Sequence, residues 1–134
     1  MISELALSTR RRAEFVHITP EVQRVVRDSG VTSGTCIVYV PHTTAGVTIN
    51  ENADPAVVRD ILMEVNKIIP LEDHYRHLEG NSAAHIKSSL VGCDQTIPVE
   101  DGQLALGTWQ SVFFCEFDGP RQRQVIIQVI GQMS

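Results

Sequence analysis

The pattern of apolar and polar positions changes period along the chain, and those changes mark its elements. Residues 2–8 and 12–18 alternate, with Phe15, His17 and Thr19 on one side and Glu14, Val16 and Ile18 on the other, and read as a first strand pair. Thr19-Pro20-Glu21 opens a helix, with Thr19 as cap, Pro20 at the first helical position and Gly30 closing it beyond Val22, Val25 and Val26. Thr35 to Val40 is a β-branched run ending at Pro41, read as a buried strand, and Gly46 to Asn50 reads as another. Asp54-Pro55 repeats the cap-then-proline signal, and Val58, Ile61, Leu62, Val65, Ile68 and Ile69 recur at helical spacing until Pro70. This is the strongest periodic signal in the chain.

Asn81 to Leu90 reads as a short helix capped by Asn81 and ended near Gly92. The remainder is β. Thr96 to Val99 leads through the turn Glu100-Asp101-Gly102 to Leu104–Leu106. Trp109 to Asp118 alternates, Asp118-Gly119-Pro120 turns, and Arg123 to Ile130 is the last strand. Strands outnumber helices and the C-terminal ones run consecutively, so the expected class is α+β with largely antiparallel sheets.

A chain of 134 residues with no linker or internal repeat makes one domain, residues 1–134. Three cysteines, widely spaced and without a C-x-x-C pair, form no disulfide framework. Cys36 and Cys115 lie in apolar runs and read as buried thiols of a protein in a reducing cytoplasm. The N-terminus has the wrong order of charge and hydrophobicity for a signal peptide, and no apolar run has membrane-spanning length. A net charge of −5 argues against general nucleic-acid binding, and Arg10 to Arg12 is too short a cluster to reverse that.

The candidate chemistry is concentrated in polar segments at element ends. His42 follows the buried strand at Pro41-His42-Thr43-Thr44, while His77 and His85 flank Gly80-Asn81. With Asn81 as cap, His85 lies one turn in on the same face. Imidazole suits zinc and related ions, and three protein ligands with an open fourth position form a catalytic arrangement. The spacing alone is no metal signature, and ordinary hydrogen bonding is the alternative. His17 reads as structural and His74, amid Glu72, Asp73 and Arg76, as solvated.

Glu51, in Ile49-Asn50-Glu51-Asn52, is a candidate general base or metal carboxylate, with a solvated turn as the alternative. Gly80-Asn81-Ser82 offers a helix N-terminus to an anion, to which Ser82, Lys87 and Arg121 can add donors. Trp109 is either an aromatic wall for a ring substrate or, the ordinary explanation, a residue packed in the sheet.

Taken together, His42-Thr43-Thr44-Ala45-Gly46, Ile49-Asn50-Glu51-Asn52 and His77-Leu78-Glu79-Gly80-Asn81-Ser82-Ala83-Ala84-His85 are similar to the central motifs of the YjbQ family. Gly107-Thr108-Trp109-Gln110 and Phe117-Asp118-Gly119-Pro120-Arg121 extend the resemblance. It covers nearly all of the chain after the first strands. Cys93-Asp94 departs from it, standing where relatives tend to carry serine. The resemblance implies a two-sheet sandwich assembling as a homotrimer, with a metal-associated polar site to which His42, His77 and His85 correspond.

It also implies a secondary thiamine-phosphate synthase activity, joining a pyrimidine diphosphate to a thiazole phosphate with release of pyrophosphate. Such a site needs a divalent cation and donors for the leaving diphosphate. The expected parts are the three histidines on metal, Glu51 orienting a water or substrate, and Asn81 and Arg121 on the phosphorylated substrate. The histidines favour zinc or a similar ion, whereas a diphosphate recruits magnesium through oxygen ligands. A metal-dependent hydrolase of another small metabolite and a non-catalytic metal- or metabolite-binding trimer are the competing expectations.

Overall fold

The computed structural model describes residues 2–133. Eight strands and three helices follow in the order β1 (Ile2–Ser8), β2 (Glu14–His17), α1 (Thr19–Ser29), β3 (Val31–Tyr39), β4 (Ala45–Glu51), α2 (Pro55–Ile68), α3 (Ser82–Val91), β5 (Asp94–Glu100), β6 (Gln103–Leu104), β7 (Gln110–Glu116) and β8 (Gln122–Met133). They form two antiparallel sheets, β1-β8-β3-β5-β6 and β2-β7-β4. The expected α+β class with antiparallel sheets in two layers is what the chain adopts.

The main core lies between the sheets. Cys36, Val38, Ile97, Val125, Ile127 and Val129 of the larger sheet meet Val47, Val112 and Phe114 of the smaller, and α1 adds Val22 and Val26. Phe113, Cys115 and Phe117 face the other side of the smaller sheet, where Ala84 of α3 and the partly buried Val58 of α2 cover them. Thus β7 is buried on both faces, so the alternation expected over Trp109 to Asp118 sorts its side chains between two covered faces rather than between core and solvent.

Three local expectations are corrected. Residues 2–8 and 12–18 do not pair with each other: β1 lies along β8 and β2 along β7, in different sheets. Leu5 and Leu7 on β1 and Val16 on β2 pack against the same core. The chain therefore turns a sandwich corner through residues 9–13, held by Thr9 N–H to Arg121 O at 2.9 Å and Gly119 N–H to Arg12 O at 3.0 Å. Thr19 does not cap α1; Ile18 holds that position, and the Thr19 hydroxyl accepts the Val112 N–H at 2.7 Å. Asn81 holds the cap position of α3 without a side-chain cap bond, its amide being engaged by Asp118.

The other punctuation behaves as the residues dictate. Gly30 closes α1 at φ 76° and Asp54 caps α2 by accepting the Ala56 N–H at 2.9 Å. Yet α2, the strongest periodic segment, buries none of its residues fully, and Met63 and Ile68 are exposed.

Candidate functional site

The strand-to-loop junction after β3 brings His42 to the rim of the larger sheet, beside the first residues of β8. The Gln124 N–H donates to His42 Nε2 at 2.9 Å, so that nitrogen carries no proton and the ring is neutral with its proton on Nδ1. Burial and the adjacent Arg123 guanidinium hold His42 below the ordinary imidazole value, outweighing Glu116. His85, on the first turn of α3, meets His77 edge-on, with ring centroids 5.3 Å apart. His42, His77 and His85 line one cleft of about 410 Å³, joined there by Glu79, Asn81, Arg121 and Arg123.

Beneath that cleft sits a buried ion pair. Glu116 is fully buried and Arg123 nearly so. Arg123 Nε donates to Glu116 Oε1 at 2.8 Å, and its Nη2 donates to Glu116 Oε2 and, at 2.9 Å, to Thr44 Oγ1. Thr9 Oγ1 donates to Glu116 Oε1 at 2.7 Å and the Asp118 N–H to Oε2 at 3.0 Å. Burial pushes the Glu116 carboxyl up, but these donors more than offset it and hold it below the usual range. Neither residue stood out as a site candidate in the sequence. Both occupy the inward positions of their strands, Arg123 in register with Val125, Ile127 and Val129, and Glu116 with Val112 and Phe114. A charge at an inward period-two position was the available signal.

Asp118 and Asn81 form the next layer. Asn81 Nδ2 donates to Asp118 Oδ2 at 2.8 Å, and Arg121 reaches the same carboxylate oxygen from Nη2 at 2.8 Å and the Asp118 carbonyl from Nε at 2.8 Å. Burial raises the Asp118 carboxyl, but Asn81, Arg121 and Arg12 together hold it below its ordinary value. Because a carboxylate only accepts, it fixes which end of the Asn81 amide faces it. Asn81 Oδ1 is left buried with no hydrogen-bond partner among the described residues. An unmet buried acceptor costs about 1–3 kcal/mol, which a donor on a bound molecule would offset.

Glu51 is not part of this cleft. It ends β4, six residues from Ala45, and at about 3.3 Å per residue that is roughly 20 Å from the cleft end of the strand. Within one chain it cannot orient a water or substrate at the histidines, so the role expected for it is corrected; the carboxylate in the cleft is Glu79. Trp109 lies at that same far end, beside the Glu51–Gln110 pairing, and is 64% exposed rather than packed in the sheet. His17, also there, is exposed, 5.8 Å from the Phe113 ring and 3.4 Å from the Asn52 amide. His74 is exposed, as a solvated residue should be. Cys93, the departure from the family pattern, is exposed and accepts the Val40 N–H through its carbonyl, outside the cleft lining.

The donor chemistry of three imidazoles suits a transition metal, but their arrangement within one chain does not form a ready coordination site. His42 has committed one ring nitrogen to Gln124. Among the described residues, no three His, Cys, Asp or Glu side chains are gathered closely enough to hold an ion.

A small α+β sandwich with a histidine-lined cleft at one end of its sheets is thus the class that fold and site define. The family model described as "UPF0047 protein YjbQ-like" matches residues 3–132, and the chain belongs to the YjbQ (UPF0047) family. It is 53% identical over 131 residues to UPF0047 protein MJ1081 of Methanocaldococcus jannaschii, covering 98% of this chain and 95% of that one. It is 51% identical over 132 residues to UPF0047 protein YugU of Bacillus subtilis, covering 98% and 100%. An uncharacterised conserved YjbQ/UPF0047 protein from Clostridium acetobutylicum has the same fold, with a TM-score of 0.94, 52% identity and coverage of 96% and 99%. A protein of unknown function from Sulfolobus solfataricus superposes with a TM-score of 0.95 at 32% identity, covering 98% and 97%.

Proposed function

We propose that the histidine-lined cleft binds a phosphorylated small molecule, and that the reaction it supports best is the thiamine-phosphate synthase type of transfer. In that reaction the thiazole nitrogen forms a bond to the methylene carbon of the pyrimidine diphosphate. The carbon–oxygen bond breaks and pyrophosphate departs with the electron pair.

The observation that carries this reading is the convergence of three imidazoles, Arg121 and the buried Asn81 on one cleft. Arg121 is half-exposed and supplies a cation for the departing diphosphate. Asn81 Oδ1, lacking a donor, fits an exocyclic amino group of a heterocycle. His42, neutral with Nδ1–H, is a hydrogen-bond donor to a phosphoryl oxygen. Metal binding remains part of the proposal: zinc-like if the imidazoles gather around it, magnesium if it arrives on the diphosphate. No step above depends on it, and elemental analysis of the purified protein decides it.

The half-covered apolar stripe of α2 supports the homotrimer expected from the family, because association through that stripe would remove Ile68 from water. Mass in solution tests that part. Glu79 in the cleft favours a second reading, hydrolysis of a single phosphorylated metabolite with this carboxylate as base.

The discriminating experiment supplies each heterocyclic substrate alone and both together, and measures pyrophosphate. Release only with both, reduced at least about a hundredfold in His85→Ala and Arg121→Ala, is the expected result. Turnover of one substrate with water would replace the transferase reading by the hydrolase one. Failure to bind or turn over any of them would end both.

A further inference from the structure

Two residues apart on a helix point about 200° apart, so Lys87 faces away from His85 and out of the histidine cleft. It enters a second cleft of about 420 Å³ between α3, the end of α2 and the corner at residues 9–13. Lysine is almost never fully buried unless paired. Lys87 is only 6% exposed, yet its one side-chain hydrogen bond among the described residues is to a neutral group, from Nζ to Asn66 Oδ1 at 2.6 Å. It belongs to none of the ion pairs among the described residues. Arg11 and Arg12 line the same cleft, so three cationic side chains face one space.

One carboxylate is present there, Asp118, and it is already engaged. Asn81 and Arg121 hold its Oδ2 at 2.8 Å each, and Arg12 approaches its other oxygen only at 3.9 Å. Burial and the nearby Arg12 charge lower the Lys87 pKa, as expected of a desolvated ammonium beside a like charge. The remaining walls are apolar: Phe117, Ala83, Ala84 and Leu71. A buried ammonium with one neutral acceptor is costly, and an anion is the group that offsets the cost.

We infer that this second cleft is an anion-binding site for a phosphorylated metabolite with an apolar or aromatic body, Lys87 and Arg12 holding the phosphoryl group and Phe117 the body. A phosphoryl group suits the cleft because its several oxygens can take donors from Lys87 and an arginine at once. The assignment does not rest on the transferase reading. Asn81 and Asp118 line both this cleft and a polar groove of about 570 Å³ that extends to His77 and Arg121, so the two sites share a wall.

The test titrates the full-length protein calorimetrically with inorganic phosphate and with phenyl phosphate. Phenyl phosphate should bind more tightly than phosphate, because only it uses the apolar wall. Lys87→Met, isosteric and uncharged, should weaken both at least about tenfold, the worth of one charge-assisted hydrogen bond. It should also melt no lower than wild type without ligand, since a buried charge has been removed. Arg12→Gln, at an exposed position that leaves the fold intact, should weaken both severalfold. The histidine cleft can itself take a phosphoryl group, so His85→Ala should remove at most a separate binding event and leave the Lys87-dependent one in place, which separates the two clefts. Equal binding by wild type, Lys87→Met and Arg12→Gln would overturn the inference. So would loss of the Lys87-dependent binding event on His85→Ala, or no binding of either probe at millimolar concentration.

Discussion

Arg123→Met tests the account of what holds the cleft in shape. The substitution keeps most of the side-chain length but removes the guanidinium, leaving the fully buried Glu116 carboxylate without its cation. Breaking one side of a buried pair costs about 3–5 kcal/mol, because the remaining charge is uncompensated. Here Thr9 Oγ1 and the Asp118 N–H still donate to Glu116, which places the expected loss near the lower end, about 3 kcal/mol. That is a large part of the roughly 5–15 kcal/mol that stabilises an ordinary domain. Urea unfolding followed by circular dichroism, at fixed protein concentration, reads it directly.

The partner change Glu116→Leu should cost a similar amount, since it strands the guanidinium with Thr44 alone. The double variant should cost clearly less than the two added together, with a coupling of at least about 1.5 kcal/mol. Thr9→Ala, which removes one neutral donor, should cost about 1–2 kcal/mol. Additive single effects, or an Arg123→Met loss below about 1 kcal/mol, would refute the idea that the pair is energetically coupled.

Other consequences can be checked on the same preparation. On acidification, stability should fall in two stages. His42, whose folded pKa lies below its unfolded value, favours folding fully above the ordinary imidazole pKa and loses that contribution as pH falls below it. Glu116 and Asp118, also lowered, contribute fully above the ordinary carboxylate range and lose it as pH falls further, through their folded values; urea midpoints at a series of pH values would trace both. A disulfide thiol reagent should label only the exposed Cys93 in the native protein, since burial pushes Cys36 up to about 11 and Cys115 higher still; rapid labelling of all three without denaturant would contradict this. Gly46→Ala would set a methyl 2.5 Å from the Gly92 carbonyl, at the point where that carbonyl accepts the Val47 N–H. It should lift the end of α3 from β4 and destabilise by about 1–3 kcal/mol, read as a lowered melting temperature.

Much of the fold was legible because local signals agreed with the tertiary outcome. The caps and stops of α2, the Gly30 closure of α1 and the Asp101-Gly102 turn, with φ of 52° and 73°, are set within a few residues. Strand pairing is not. Residues 2–8 and 12–18 are neighbours in sequence, yet each finds its partner more than ninety residues away, in β8 and β7. Nothing in a period-two pattern distinguishes a hairpin from a sandwich corner. The candidate site was legible where residues bracket one element, as His77, Asn81 and His85 bracket the start of α3. Glu51 and Trp109 lie away from the cleft of their own chain, and sequence alone could not show it, because a period-two pattern does not say which end of a strand a site occupies.

The distribution of buried polar groups gives a reason to look for function at the histidine end rather than the Glu51 end. Among the described residues, Thr9, Thr44, Asn81, Lys87, Ser88, Glu116 and Arg123 are buried polar or charged groups, and Ser29 is the remaining one. All but Ser29 surround the corner at residues 9–13, the start of β4 and α3. Ser88 Oγ donates to the Ala45 carbonyl and Lys87 ties α3 to α2 through Asn66. Stability alone does not call for this, since apolar residues of similar volume often serve as well or better in place of a buried ion pair. Departures from an apolar interior are expected where a site must be held in one geometry. The opposite end shows no such investment among the described residues: Asn52 and Trp109 are exposed and Glu51 is only half-buried around a conventional strand end. The concentration of buried charge beneath two adjoining clefts is the kind of rigid support that the proposed binding of charged molecules there requires.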